Sequence, residues 1–466
     1  MMNLKILDDF SGNRGINNKV DLAYITSATD SNFDDISMKN DTQPQDLVKR
    51  QRTCIDLFAG AGGLSTGLEL AGFDVLFANE IMPAYAESLA LNHPNSQVCV
   101  NDIRSVSPHD IRMSLGLEVG ALDLIAGGPP CQGFSINAPV RSSDDRRNHL
   151  FLNYLDFVKE FFPKVVLIEN VPGMVSYEGG DTINAIMSSL RGLGYKPEVR
   201  VLYAPHYGVP QMRWRTIFLA TRLDVSPQAL YPIPSHLSKG RPNFTTKLDG
   251  NSLIFSDEYV ASNAVHSHTT VWDAIGDLPE LENGGGAPLM DYSKPAESGY
   301  QDLLRTGSKC LTSHQAANLG PANTVRLPFI PPGGSWRDIP HDLLPKGMQR
   351  AKRSDHTKRY GRLEPQGIAS TILTKCDPHW GAYIHPTQHR ILSVREAARL
   401  QSFPDRVRFC GSLSEQYEQV GNAVPPLFAR AIGNQIQSVL NRIDDGETVP
   451  SSFAGRCSQT ELALIS

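Results

Sequence analysis

The sequence predicts an α/β protein with a doubly wound, mostly parallel sheet and a smaller irregular domain set into it. Three observations predict this. Short apolar runs at Cys54–Phe58, Val75–Ala78, Leu122–Ala126, Val165–Ile168 and Thr216–Ala220 alternate with helical patterns. Such runs suit strands buried on both faces, and strand–helix alternation implies a parallel sheet covered by helices. From about residue 225 to 390 the alternation fails, with Pro288, Pro295, Pro328, Pro331 and Pro332 and the run Gly284-Gly285-Gly286. Helical texture returns at Ser393–Gln401 and Pro426–Leu440, so the C-terminal part completes the first domain. The expected division is a poorly ordered polar tail over 1–50, a ligand-binding sheet domain over 51–224, the irregular domain over 225–390, a completing segment over 391–445 and a tail over 446–466.

Of the 466 residues 40% are hydrophobic and 20% charged, which is ordinary for a soluble globular chain. Cys54, Cys99, Cys131, Cys310, Cys376, Cys410 and Cys457 are scattered with no C-x-x-C pair. That argues against a disulfide framework or a zinc knuckle and for a reducing compartment. No apolar run has the roughly 18 to 20 residues a membrane span needs, and the N-terminus lacks the order of a signal peptide. A cytoplasmic protein is expected, nucleoid-associated in a bacterium or nuclear in a eukaryote, with no membrane partner and no metal. The net charge of −5 argues against indiscriminate coating of nucleic acid. Locally, however, Lys346, Arg350, Lys352, Arg353, Lys358, Arg359 and Arg362 stand against the single acid Asp355, a pattern that suits phosphate contact or a solvated loop.

The first strand runs into Phe58-Ala59-Gly60-Ala61-Gly62-Gly63-Leu64 and then a helix over Leu64–Ala71. Glycines there let a ligand approach the backbone at the helix N-terminus. A dinucleotide fingerprint would need a third glycine where Ser65 stands, which weakens a pyrophosphate reading. Glu80 at the end of the next strand is placed for ribose hydroxyls, and Asp102 after the following one for an adenine amino group. A ribose and adenine without a diphosphate is what S-adenosylmethionine offers; a purely structural turn is the alternative.

The third strand delivers Gly127-Gly128-Pro129-Pro130-Cys131-Gln132-Gly133-Phe134-Ser135 to the edge where open α/β sheets bind ligands. A lone cysteine is ordinarily a small buried apolar residue. Here the prolines stiffen its approach and the flanking glycines let the loop fold over a substrate. Glu169-Asn170-Val171, after the fourth strand, brings a carboxyl to the same edge. A thiolate that adds to carbon 6 of cytosine makes carbon 5 nucleophilic, provided ring nitrogen 3 is protonated or hydrogen-bonded, and Glu169 is placed for that.

These residues resemble the DNA cytosine-5 methyltransferase family, whose ordered blocks are matched from Asp56 to about Pro426. The further blocks are Gln211-Met212-Arg213-Trp214-Arg215, the stretch from Arg395 through Glu396 to Asp405, and Gly421-Asn422-Ala423-Val424-Pro425-Pro426. The resemblance implies a sheet of the S-adenosylmethionine-dependent methyltransferase type over 51–224 and 391–445, and a target-recognition domain over 225–390. It implies methyl transfer to carbon 5 of a flipped cytosine in double-stranded DNA through a Cys131 adduct. By resemblance Phe58, Gly60, Gly62, Glu80, Asp102, Leu150 and Asn422 contact S-adenosylmethionine, and Cys131, Glu169, Arg213 and Arg215 are catalytic. Arg213 and Arg215 resemble the pair that holds the loop, the flipped base and phosphate. Ser135 and Asn137 fall in the loop that touches DNA, Asn137 where the vacated space is filled. Thr371-Ile372 matches a Thr-Leu pair of the recognition domain, and Lys352, Arg353, Lys358 and Arg359 are expected on phosphates. The Arg395 block reads as mainly structural. The family admits a cognate restriction endonuclease acting on the same site, and a monomer is expected.

Three other readings compete. A tRNA cytosine-5 methyltransferase shares the motifs, but the long insert between Arg215 and Ile391 favours duplex DNA. A catalytically silent DNA-binding protein would have no need of Cys131, Glu169 and the glycine turn together. A nicotinamide oxidoreductase leaves Ser65 and the Cys131 loop unexplained.

Overall fold

Apolar strands buried on both sides organise the chain. The computed structural model describes residues 24–25, 51–130, 150–352, 354–355 and 358–449. Cys131, Ser135, Asn137 and Arg353 lie outside the described residues. The strands are β1 (Tyr24–Ile25), β2 (Arg52–Leu57), β3 (Phe73–Asn79), β4 (Gln97–Cys99), β5 (Leu124–Gly127), β6 (Val165–Asn170), β7 (Lys196–Tyr203) and β8 (Trp214–Thr221). They form one sheet in the order β1-β4-β3-β2-β5-β6-β8-β7. β2 to β6 run parallel, while β8 is antiparallel to β6 and to β7. This is the doubly wound, mostly parallel sheet the sequence predicts.

Alternate side chains divide between two helical layers. On one face Val75, Leu124, Ala126, Val165, Leu167 and Leu219 pack under α1 (Gly63–Leu70) and α12 (Pro426–Asp444). On the other, Leu57, Phe77, Ile125, Val166, Ile168 and Phe218 pack under α3 (Pro108–Ser114), α4 (Leu150–Phe161) and α5 (Asp181–Gly192). α2 (Pro83–Asn92) covers Ala78 and Val98 near the β4 edge. The α1–α12 contact is close because Gly67 lies on the Ala429 methyl and the Pro426 carbonyl. The last helix is thereby built into the first layer.

Between β8 and α10 (Val394–Leu400) the chain forms short pieces: α6 (Asp257–Asn263), α7 (Val271–Ile275), α8 (Gly299–Arg305), α9 (Pro321–Thr324) and a hairpin of Gly286–Met290 with Leu311–Gln315. α7, α10 and α11 (Leu413–Asn422) share a core of Val271, Ile275, Ile372, Tyr383, Val394, Ala398 and Val420. A separate core gathers Leu327, Trp336, Tyr360, Ile384 and Ile391. Buried charges join these pieces to α10. Arg399 donates to Asp405 (2.6 Å) and Asp277 (2.5 Å), and Arg395 donates to the Thr312 carbonyl (2.8 Å). Losing one partner of such a pair strands a buried charge, at a cost of about 3–5 kcal/mol.

Candidate active site

The sharp turn after β2 needs unusual backbone. Phe58 (φ 62°), Gly60 (φ 60°) and Gly62 (φ 84°) are all left-handed. At Gly62 a side chain would also strike the His93 ring and Leu89, so glycine is required twice over. The turn carries Glu80 beside it: its Oε2 accepts the Gly60 N–H (2.9 Å) and its Oε1 the Met82 N–H (2.8 Å). Glu80 is buried, and burial raises its pKa. Each oxygen keeps a lone pair for a further donor. Ser65, which stands where a third glycine is missing, donates to Asp56 Oδ2 (2.6 Å) and ties the first turn of α1 to β2. Asp56 is fully buried, its Oδ1 has no hydrogen-bond partner among the described residues, and burial pushes its pKa up to about 7.

The other residues expected around this ligand surround the same strand ends. Asp102 follows β4, where it accepts the Arg104 N–H (3.0 Å) and pairs with the Arg104 guanidinium, which lowers its pKa. Leu150, half-buried, opens α4, and Asn422, exposed, closes α11. The carbonyl of Val424, just beyond Asn422, abuts Gly63 at the start of α1. The turn from Phe58 to Leu64 contains no Lys or Arg, and two carboxylates flank it. Those acceptors suit hydroxyls and an amine, and the turn lacks the positive charge a diphosphate wants.

Antiparallel pairing of β6 with β8 decides the neighbouring half of the site. Asn170 lies opposite Thr216, so Arg215 emerges beside Glu169. Arg215 Nε stands 2.5 Å from Glu169 Oε1, and both side chains are largely buried. Glu169 Oε2 lies 3.1 Å from where a Cβ on Gly128 would sit, so the carboxyl rests against the base of the loop that carries Cys131. Asn170, which the sequence reading quoted without a role, donates from Nδ2 to the Pro129 carbonyl (3.0 Å) and anchors that loop. Carboxylate, guanidinium and loop base thus meet on the side of β5 away from the glycine turn, which follows β2.

A family model described as C-5 cytosine-specific DNA methylase matches residues 52–438. The chain belongs to this family. It is similar to the type II methyltransferase M.AgeI of Thalassovita gelatinovora, at 34% identity over 83% of this chain and 99% of that protein. It is also similar to the type II methyltransferase M.DdeI of Desulfomicrobium norvegicum, at 32% identity over 88% of this chain and 95% of that one. Among solved structures, a DNA modification methyltransferase encoded within an E. coli prophage aligns with a TM-score of 0.62 at 25% identity, covering 84% of this chain and 99% of that one.

In this cytosine-5 DNA methyltransferase the two arginines of the Gln211–Arg215 block part company. Arg215 faces Glu169. Arg213 is 2% exposed and donates to the carbonyls of Ile372 (3.2 Å), Gly421 (3.1 Å) and Ala423 (2.9 Å). Gln211 accepts the Ile372 N–H (2.8 Å), and Thr371 Oγ1 donates to the Met212 carbonyl. Thr371 is therefore stitched to β8's approach. Within the basic stretch Lys352 and Lys358 are exposed and Arg359 is half-buried. Arg362 departs from that surface: it is 4% exposed and donates to the carbonyls of Ile330, His385, Gln388 and Leu327, holding the small core together. Among the described residues no cluster of His, Cys, Asp and Glu is arranged to hold a metal, and no helix is long and apolar enough to cross a membrane.

Proposed function

We propose that this chain methylates carbon 5 of a cytosine within a specific double-stranded DNA sequence, with Cys131 as nucleophile, Glu169 as the carboxyl that serves ring nitrogen 3, and S-adenosylmethionine as methyl donor. The observation that carries this reading is the Glu169–Arg215 pair, held at the base of the Cys131 loop and separated by β5 from a glycine turn free of Lys and Arg. Phe58, Gly60, Gly62, Glu80, Asp102, Leu150 and Asn422 would hold the donor, Glu80 through its remaining lone pairs. When bound, S-adenosylmethionine supplies an electrophilic methyl group.

The Cys131 thiolate adds to carbon 6, and the displaced ring electrons move toward nitrogen 3, where Glu169 stabilises them by a hydrogen bond or a proton. Carbon 5 is then electron-rich and would form the bond to the methyl as the donor's C–S bond breaks, the electron pair staying on sulfur and S-adenosylhomocysteine being left. A base removes the proton from carbon 5, the double bond re-forms and the thiolate leaves. Attack on carbon 6 must come perpendicular to the ring, a face that stacked neighbours cover, so the base is extruded first at a cost of a few kcal/mol. Ser135 and Asn137 would meet the duplex in the closing loop. Arg215 fixes Glu169, and Arg213, which donates to the backbone carbonyls of Ile372, Gly421 and Ala423, is a positioning residue. Residues 225–390 form the target-recognition domain, with Thr371 at its junction to the catalytic half. Similarity over nearly the whole length of two type II methyltransferases supports a modification role beside an endonuclease of the same specificity.

Bisulfite sequencing of DNA from a host expressing the chain tests the activity: one sequence should be protected by wild type and none by Cys131→Ala. With purified protein, Glu169→Gln should lower kcat far more than it weakens DNA binding, because the carboxyl matters most as charge develops. A loss confined to the DNA dissociation constant would remove Glu169 from the chemistry.

A further inference from the structure

Of the four tryptophans, only Trp380 is exposed, at 62% of its surface. An indole is usually well buried, so its display on a surface asks for a reason. The backbone beneath the ring is also held in place. The Trp380 backbone N–H donates to the Asp377 carbonyl (3.0 Å), and the His379 backbone N–H to Asp377 Oδ1 (2.8 Å). The Tyr360 N–H donates to the Pro378 carbonyl (2.6 Å), and the Tyr360 ring meets His379 edge-on at 5.7 Å. Cys376 is buried in the core shared by α7, α10 and α11, and Pro378 is buried beneath the turn. An apolar side chain on a fixed mount keeps little conformational freedom to lose on binding.

Its surroundings select a partner. The Arg359 guanidinium lies over the indole, 5.7 Å from the ring centroid, while Lys358, Leu373 and Lys375 are exposed nearby in sequence. The segment leads straight to the active half of the enzyme, since the Leu373 carbonyl group abuts Gly421, next to Asn422. A cation stacked on an exposed apolar ring suits a duplex, which offers phosphates beside base edges. With Arg359 over the ring and His379 against it at 6.2 Å, the indole is poorly placed to slide between two bases, but among the described residues 62% of Trp380 stays exposed for an apolar group in a groove. The apolar group the major groove offers is the C5-methyl of thymine.

We propose that Trp380, positioned by Arg359, is a specificity-determining residue that contacts the methyl group of a thymine within or beside the target sequence. The inference rests on the DNA methyltransferase reading above. The test uses the full chain and duplexes in which each thymine of the methylated site and its flanks is replaced in turn by deoxyuridine, which lacks only the methyl. For wild type, kcat/KM should fall about fivefold at one thymine, the order expected for one buried methyl group. Trp380→Ala should show no response there, and Trp380→Phe should keep it, because the contact is apolar and needs no indole N–H. Cofactor affinity and melting temperature near wild type certify that Trp380→Ala is folded; if it is not, the decision passes to Trp380→Phe and to Arg359→Lys, which should weaken the response. Equal responses of wild type and Trp380→Ala at every thymine, or no response anywhere, would overturn the proposal. A wild-type chain that methylates no DNA would instead sink the reading on which it rests.

Discussion

Asp56 is a carboxyl without enough partners, and that makes it sensitive to pH. Ser65 satisfies Oδ2, Oδ1 is left bare, and burial lifts the pKa from 3.8 to about 7. A folded-state pKa above the unfolded value means that the protonated form favours folding. This contribution is fully present below about pH 4, declines as the unfolded chain ionises, and is lost once pH passes about 7. Asp56→Asn keeps an acceptor for Ser65 and removes the charge. Relative to wild type, the variant should therefore gain about 2–3 kcal/mol more at pH 8 than at pH 5, read from urea unfolding at each pH. A constant difference would mean that Asp56 is ionised throughout. Residues of this kind mark the boundary of what the sequence makes legible. Glu80 and Glu169 stand at strand ends, where chemistry is expected, and both can be picked out from the chain alone. Ser65 ties α1 to Asp56 and Asn170 ties β6 to Pro129 at the base of the Cys131 loop, and the residue types alone do not announce such bonds.

At the scale of elements, periodicity reveals buried strands and misses the half-exposed one. β7 alternates exposed and buried positions from Lys196 to Val201 and has Pro197 near its start, a pattern that demotes a run to a loop or an edge. It is indeed the edge strand. α11 was legible only as a motif at its C-terminal end, because its polar surface dilutes the apolar stripe; its Ser412–Glu415 capping box is the signal that marks its start. The pairing of α1 with α12 could be anticipated as completion of a domain but not as a glycine contact. A methyl group at Gly67 would collide with Ala429 and with the Pro426 carbonyl, and backbone cannot yield as a flexible side chain does. Gly67→Ala should cost roughly 1–3 kcal/mol, the usual range for overpacking, and lower the melting temperature by several degrees. Because α1 begins at the Gly62 turn, affinity for S-adenosylmethionine should fall with it. Unchanged cofactor affinity in a destabilised variant would show that the helix shifts without moving the turn.

Across the whole molecule, an acidic chain has to hold a polyanion. With a net charge of −5, long-range attraction is weak, and association with DNA depends on where the cations stand. The basic stretch read from the sequence supplies part of the answer, although composition gives no direction. Arg362 turns inward to bind four backbone carbonyls, whereas Lys352 and Lys358 stay at the surface and Lys375 joins them from a different part of the chain. If these three lysines lie on phosphates, each releases counterions on binding, and the slope of log K against log salt steepens by about 0.9 for each contact. Reversing them together to Glu leaves Trp380, Arg359 and the active half untouched. The triple variant should bind every duplex more weakly at low salt, with a slope shallower by about two to three. Fluorescence anisotropy of a labelled duplex, titrated between roughly 50 and 200 mM salt, reads both quantities. The ratio between target and unrelated duplexes should change little, since phosphate contacts carry no sequence information. An unchanged slope would return the stretch to a solvated surface. A changed ratio with an unchanged slope would place the lysines on base edges instead.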